Sequence, residues 1–152
     1  VINLEKLHLS LKILELKISE NKDYYDLSHN LGIAQIDTKK LQNKIFGIEC
    51  NFEELNGIDF KKGCYVGQEN TSRIKLRNKL RRRILPVQKI SGKISENDII
   101  KYKNNEIGKI MIDKPYSYAL IKVIDPDLKE FSNAELNCGN SKIKIIKPDW
   151  IS

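Results

Sequence analysis

The second half of the chain consists of short apolar segments rich in β-branched residues, and turn-forming residues separate one segment from the next. Such segments predict strands, because β-branched side chains pack well on a pleated surface. Six strands are predicted, over residues 84–87, 98–102, 107–112, 118–124, 134–136 and 142–146. Gly, Asn, Asp and Pro occupy the breaks, where they favour turns. Regular spacing of this kind predicts a small antiparallel barrel or sandwich.

The first half of the chain has helical spacing in several places. A helix is predicted over residues 20–31, capped by Ser19 and stopped by Gly32. Its apolar side chains share one face: Tyr24, Leu27 and Leu31. Residues 7–16 are ambiguous, since their leucines fit both the two-residue period of a strand and the period of a helix.

Two shorter helical segments are predicted after this helix. The first covers residues 38–46, with Thr38 as its N-cap, and it ends at Gly47. Asn51 and Glu54 have the three-residue spacing of a capping box, which predicts a brief helix closed by Gly57. These segments lead into the most polar part of the chain.

Basic residues are concentrated just before the predicted strands. Over residues 73–83 they alternate with apolar residues, so an extended backbone would place most of them on one face. They are Arg73, Lys75, Arg77, Lys79, Arg81, Arg82 and Arg83. One interpretation is a solvated face without specific partners. The other is a contact surface for tRNA phosphates or for the acidic tail of a small ligand.

Composition narrows the class of protein. The formal net charge is +7 and the pI about 9.2, a balance that attracts RNA, anionic phospholipid or acidic small molecules. No apolar run approaches the roughly 20 residues that span a bilayer, and the first residues lack the pattern of a secretion signal. A cytoplasmic protein without membrane contact is therefore expected.

The three cysteines are far apart and form no C-x-x-C pair: Cys50, Cys64 and Cys138. This spacing predicts neither a disulfide framework nor a zinc site, and it indicates a reducing compartment. A resident metal site is not expected. An iron–sulfur cluster held by this chain alone is also not expected, because clusters require about four thiolates.

Residues 62–69 read Lys-Gly-Cys-Tyr-Val-Gly-Gln-Glu and form the densest group of reactive side chains in the chain. Two glycines four residues apart indicate a bend or a close approach. In an extended backbone Lys62 and Cys64 would share a face, where the ammonium would favour a thiolate. The alternative is a tight turn with Cys64 buried as a small apolar residue.

This octapeptide, followed by Arg73, resembles the signature of the YgfZ folate-binding protein family. That family is similar to the glycine-cleavage T-protein, an aminomethyltransferase, and includes mitochondrial iron–sulfur assembly relatives. Glu49, Asn51 and residues 56–60 resemble the family's lead-in to the signature, and residues 106–110 and 119–123 resemble strands of its C-terminal barrel.

The resemblance implies an α+β fold, the C-terminal half of a T-protein/YgfZ-like fold. A mixed α/β segment, a partial folate-binding domain over residues 1–83, would precede a small antiparallel β-barrel over 84–152. The resemblance also favours a strand over residues 7–16. The chain departs from the family in lacking its N-terminal half, in Ser28, where arginine is common, and in Ala34, which replaces a proline.

The resemblance also implies roles for particular residues. Cys64 would be the working thiol, and Lys62 would stabilise its thiolate. The residues expected to contact a cofactor are Tyr65, Gly67, Gln68, Glu69, Arg73, Glu49 and Asn51. The cofactor would be tetrahydrofolate or a derivative, with a transient iron–sulfur cluster shared with a partner. Expected partners are iron–sulfur assembly proteins or client enzymes, tRNA, and a polypeptide that supplies the N-terminal half.

Three functions follow from these observations. The first, implied by the resemblance, is a folate-binding protein that assists iron–sulfur cluster assembly or repair and hence tRNA thiolation. The second is a tetrahydrofolate-dependent aminomethyltransferase, ranked lower because the T-protein's acid lies in the missing half. The third is a non-catalytic, basic RNA-binding module or a degenerate remnant.

Overall fold

Six antiparallel strands close into a barrel in the order β1-β4-β3-β2-β5-β6. The computed structural model describes residues 12–14, 20–64, 66, 68–76, 81–123, 128–130 and 134–151. The strands are Arg82–Ser91 (β1), Ile99–Tyr102 (β2), Asn105–Ile112 (β3), Tyr118–Lys122 (β4), Leu136–Cys138 (β5) and Ser141–Ile145 (β6). The six predicted strands and the α+β class with a small barrel are confirmed. The domain division after residue 83 stays a prediction.

The long strand β1 closes the barrel. Its first half, from Arg82 to Pro86, pairs with β4, and its second half, from Val87 to Ser91, pairs with β6. Alternate side chains of each strand point inward, so the core fills with Ile, Leu and Val. Gly108 of β3 is required by the packing, because a Cβ atom there would lie 2.4 Å from the backbone oxygen of Leu120.

Helix α1 covers Asn21–Asn30. The N-cap position belongs to Glu20, so the predicted cap Ser19, which lies outside the described residues, is wrong. The predicted stop is confirmed: Gly32 has a φ of +74°, its N–H donates to the carbonyl of His29, and the next N–H donates to that of Ser28. The shared apolar face is exposed, with Tyr24 and Leu27 more than half accessible.

Hydrogen bonds attach α1 and the turn after it to the barrel. The Tyr118 hydroxyl donates to the Ile33 carbonyl at 2.8 Å, and His29 Nε2 lies 3.0 Å from the Ser117 carbonyl. Trp150 Nε1 donates to the Leu31 carbonyl at 2.8 Å. Trp150 also packs against the barrel core, so it anchors this part of the chain to the barrel.

The helices predicted after α1 are shorter than expected. A 3-10 helix covers Thr38–Leu41, and Asn43 then adopts a left-handed backbone with φ of +59°, which ends the helical path. A second 3-10 helix covers Gly47–Cys50. Asn51 is the left-handed C-cap of that helix, with φ of +64°, so it ends a helix instead of starting the predicted one.

Two segments predicted to be extended are helical over part of their length. Residues 12 and 13 have helical backbone, which contradicts a strand there; the rest of the 7–16 segment lies outside the described residues. Helix α2 covers Gln68–Leu76, so the single extended basic face over 73–83 is wrong for its first four residues. Residues 77–80 lie outside the described part of the chain. Within that part, no helix combines the length and apolar character needed to cross a bilayer.

Candidate functional site

The segment that carries the octapeptide lies on the surface. Lys62, Gly63, Cys64 and Val66 are exposed, whereas Tyr65 and Gly67 lie outside the described residues. The alternative in which Cys64 is buried as a small apolar residue is therefore wrong. An exposed sulfur is accessible to a second protein or to a ligand that approaches from solvent.

Gly63 does not need to be glycine for the packing of the described chain. A Cβ atom built on it would have no neighbour within 4 Å, and Gly63 is not among the glycines with positive φ. The described backbone therefore shows no requirement for glycine at this position, and the other glycine of the pair, Gly67, lies outside the described residues. The turn just before it is shaped by Asp59, whose carboxylate accepts the Lys61 N–H at 2.8 Å. Among the described residues, none fills the space beside Gly63.

Helix α2 follows the octapeptide and begins with two of the predicted cofactor contacts, Gln68 and Glu69. Arg73 Nη2 contacts Glu69 Oε1 at 2.6 Å, one helical turn away. Both side chains are more than half exposed, so solvent screens this pair. The Lys75 ammonium forms an ion pair with Glu53 and lies 5.6 Å from the centre of the Phe60 ring. These contacts tie α2 to the turns that precede it.

Glu49 is buried and both of its carboxylate oxygens have partners. Oε2 accepts the Phe46 N–H at 2.9 Å, which caps the second 3-10 helix, and Oε1 accepts from Arg82 Nε at 2.9 Å. These bonds fix the 3-10 helix against the start of β1. The predicted role of Glu49 as a cofactor contact stays a prediction.

Asn51 is fully buried beside Glu49. Its Nδ2 donates to the Ile84 carbonyl at 2.9 Å, and its Oδ1 accepts from Arg83 Nη1 at 3.0 Å. Arg83 Nη2 also contacts Glu54 at 2.6 Å. A buried amide whose donor and acceptor are both satisfied stabilises the fold. Its predicted contact with a cofactor also stays a prediction.

A cationic groove lies where α2, the second 3-10 helix, β1 and β4 meet. Its volume is about 530 Å³, and it is lined by Phe46, Glu49, Ile74, Arg81, Arg82, Lys122 and Val123. Three cations and the one carboxylate of Glu49 line the groove, so it favours an anionic ligand with an apolar part. Of the predicted site residues that the structure describes, Glu49 alone is among the residues that line this groove; Cys64 and Lys62 are not.

The other two cysteines are in different surroundings from Cys64. Burial, with a smaller contribution from Glu49, raises the pKa of the Cys50 thiol to about 11. Burial, with a smaller contribution from Asp98, raises the pKa of Cys138 to about 11 as well. Among the described residues, no three His, Cys, Asp or Glu side chains are grouped so that they could hold a metal ion.

These surroundings predict an order of reactivity toward iodoacetamide. A thiol of pKa about 11 is only about 0.03% thiolate near pH 7.5, and the thiolate is the species that reacts. We expect mass spectrometry to find Cys64 alkylated first. Modification of Cys50 and Cys138 should be slow and should accelerate about tenfold per pH unit up to about pH 11. Equal rates for the three thiols near pH 7.5 would contradict this order.

No protein-family model matches the chain. Curated relatives are named iron-sulfur cluster assembly factor IBA57 homolog, mitochondrial. The relative from Neurospora crassa is 36% identical over 107 residues, which are 70% of this chain and 22% of the relative. The relative from Dictyostelium discoideum is 39% identical over 80 residues, or 49% of this chain and 20% of the relative. The relative from Aspergillus oryzae is 46% identical over 61 residues, which are 40% of this chain and 14% of the relative.

The chain therefore spans about a fifth or less of the length of these relatives. Their names contradict the predicted cytoplasmic location, because each of them is named as mitochondrial, and that prediction is wrong. Composition could not have shown this, since a basic net charge is compatible with either compartment. Over part of its length, the chain is similar to mitochondrial iron–sulfur cluster assembly factors.

Proposed function

We propose that this chain is part of a protein that assists iron–sulfur cluster assembly and that Cys64 supplies one thiolate to a cluster in transit. The observation that carries the proposal is the exposed thiol of Cys64 within the octapeptide. The relatives named as assembly factors support the same role. Because a cluster requires about four thiolates, a partner protein must supply the remaining ligands.

The local structure suits a shared ligand. Gly63 has no side chain and its surroundings are open, so a partner's cluster can approach Cys64 without meeting a side chain at that position. When Cys64 binds iron, its thiol releases a proton to solvent and the sulfur donates an electron pair; no redox change is required. Lys62, two residues away and also exposed, remains the proposed cationic neighbour of this sulfur.

Reconstitution of the full chain tests this proposal. Under anaerobic conditions the chain would be mixed with ferrous iron, sulfide and glutathione, whose thiol can occupy the remaining ligand positions. We expect iron, sulfide and visible charge-transfer absorption to elute with the protein. A parallel sample with a scaffold protein that carries a [2Fe–2S] cluster should give a complex containing both chains. Absence of iron in both samples would contradict the proposal.

The finer part of the proposal is that tetrahydrofolate, or a derivative, binds in the cationic groove. Arg81, Arg82 and Lys122 would attract the carboxylates of a folate tail, and Phe46 and Ile74 provide apolar surface. Glu49 already holds Arg82, so it would orient that guanidinium. The other cofactor contacts that the resemblance implies stay predictions: Tyr65, Gly67, Gln68, Glu69, Arg73 and Asn51.

Calorimetry with tetrahydrofolate tests the folate site independently of the cluster. A dissociation constant tighter than about 1 mM, which is about −4 kcal/mol, would support a useful site. The Lys122→Ser variant should bind more weakly. No heat of binding would remove folate from the proposal and leave the role of Cys64 intact. The titration would then be repeated with an N-terminal-half polypeptide added to the calorimeter cell.

Iron–sulfur enzymes that thiolate tRNA would be among the clients of such a factor. Direct binding of tRNA by the basic stretch over 73–83 has less support, because α2 and β1 divide that stretch. Arg82 and Arg83 are also engaged by Glu49 and Glu54. We therefore rank the RNA-binding remnant below the assembly factor, and the aminomethyltransferase remains the second alternative.

A further inference from the structure

Two adjoining basins flank the end of α1, and His29 lines both. The larger, of about 650 Å³, is lined by His29, Asn30, Gln88, Lys144, Ile145, Ile146 and Lys147. The smaller, of about 400 Å³, is lined by His29, Val87, Lys89, Gly92, Lys93, Ile94, Asp113, Lys114, Pro115, Tyr116 and Ser117. We call the two together the lysine groove. It contains none of the octapeptide residues that the structure describes, and it does not depend on the proposed function.

The lysine groove has a strong excess of positive charge. Five ammonium groups line it, from Lys89, Lys93, Lys114, Lys144 and Lys147. Its one carboxylate, that of Asp113, is engaged by Lys40 at 2.7 Å. Within the described part of the chain, none of the five lysines has a carboxylate within ion-pair distance. The two basins therefore carry five cations and one engaged carboxylate, a charge balance that attracts anionic partners.

The side chains of the groove favour a phosphodiester over other anionic partners. Protein–protein interfaces are depleted of lysine and enriched in arginine and large aromatic residues. Insertion of a surface into the membrane interface uses exposed apolar side chains. The large apolar residues that the structure exposes, such as Leu27, Phe46 and Leu76, do not line this groove. A concave surface with several lysines instead matches a nucleic acid backbone.

Amides in the larger basin indicate RNA. Asn30 and Gln88 are exposed there, and each amide can both donate and accept a hydrogen bond. The ribose 2′-hydroxyl, which is also both donor and acceptor, is the group that separates RNA from DNA. The partly exposed ring of Tyr116 in the smaller basin offers a stacking surface for a base. We propose that the lysine groove binds single-stranded RNA, with phosphates on the lysines and ribose hydroxyls on the two amides.

Fluorescence anisotropy with a labelled twelve-nucleotide oligouridylate tests this proposal on the full chain. We expect a micromolar dissociation constant at low salt. The logarithm of the binding constant should fall with the logarithm of salt with a slope of about −3, since each of four or five phosphate contacts contributes about −0.7. The K93Q/K144Q double variant, with one change in each basin, should bind about tenfold more weakly, with a slope smaller in magnitude by about 1.4.

The matched control is the K101Q/K109Q double variant, which removes the same charge from exposed lysines on β2 and β3. These strands lie across the barrel from β1 and β6. The control should bind RNA within about twofold of the unchanged chain. Equal losses in the two double variants would overturn the proposal, because binding would then follow net charge alone. So would the absence of binding by the unchanged chain.

A competition experiment distinguishes between the possible partners. It also tests the proposal if circular dichroism shows that a double variant fails to fold. Unlabelled oligouridylate should displace the probe at least about tenfold more effectively than the matching deoxyribonucleotide. Equal displacement by the DNA, by polyglutamate or by anionic vesicles would overturn the assignment to RNA. The C64S variant should bind RNA normally, so the result is distinct from the test of the proposed function.

Discussion

Replacing Cys64 with serine is expected to abolish the iron-containing complex between this chain and a cluster-bearing partner. A serine hydroxyl is far less acidic than a thiol and is a poor ligand for iron in a cluster. We expect the iron that elutes with the chain to fall to background after anaerobic reconstitution. Because Cys64 is exposed, the free energy of unfolding should change by less than about 0.5 kcal/mol.

Cys50→Ser is the matched control for this loss. Cys50 lies between two of the site's structural residues, Glu49 and Asn51, but it is only partly exposed and its pKa of about 11 disfavours the thiolate. This variant should therefore retain the iron. Gly63→Ala, which adds a methyl group in open space, should leave stability unchanged and provides a second control. Retention of iron by C64S would remove Cys64 from the account.

The largest effect on stability is expected from Asn51→Ala. The change removes two buried hydrogen bonds, to the Ile84 carbonyl and to the Arg83 guanidinium. It also places alanine at a φ of +64°. Unpaired buried groups cost about 1–3 kcal/mol and the left-handed backbone about 1 kcal/mol, so we expect the free energy of unfolding to fall by about 3 kcal/mol. Urea denaturation with a fitted slope measures this change.

Asn56→Ala isolates the backbone part of that cost. Asn56 has a φ of +58°, close to that of Asn51, but it is exposed. Its replacement should lower the free energy of unfolding by only about 1 kcal/mol. If Asn51→Ala cost no more than Asn56→Ala, the buried amide would not be holding the second 3-10 helix to β1. A role in ligand binding would then be the better explanation of Asn51.

The strands of the barrel could be predicted because each is short and bounded by turn residues. The closure could not, because it depends on β1, which changes partner from β4 to β6 between Pro86 and Val87. Helix α2 was missed because Arg73, Ile74, Lys75 and Leu76 alternate as in a strand. The four-residue spacing of Glu69 and Arg73, an ion pair on a helix surface, was the available signal.

The octapeptide could be found from the sequence, but the cationic groove could not. Arg82 and Lys122 are forty residues apart in the sequence. They meet because they lie opposite each other where β1 pairs with β4. Glu49 joins them through its bond to Arg82. Such pairings depend on strand register, which the alternation of residues alone does not specify between distant segments.

Protection of Cys64 from alkylation is the most direct test of its proposed role. The full chain would be treated anaerobically with iodoacetamide, alone and in the presence of a scaffold protein carrying a [2Fe–2S] cluster, and each cysteine would be quantified by mass spectrometry. The scaffold without its cluster would serve as the control. If Cys64 binds the shared cluster, its alkylation should slow by at least about tenfold only when the cluster is present. Alkylation of Cys64 at the same rate in all samples would contradict the account.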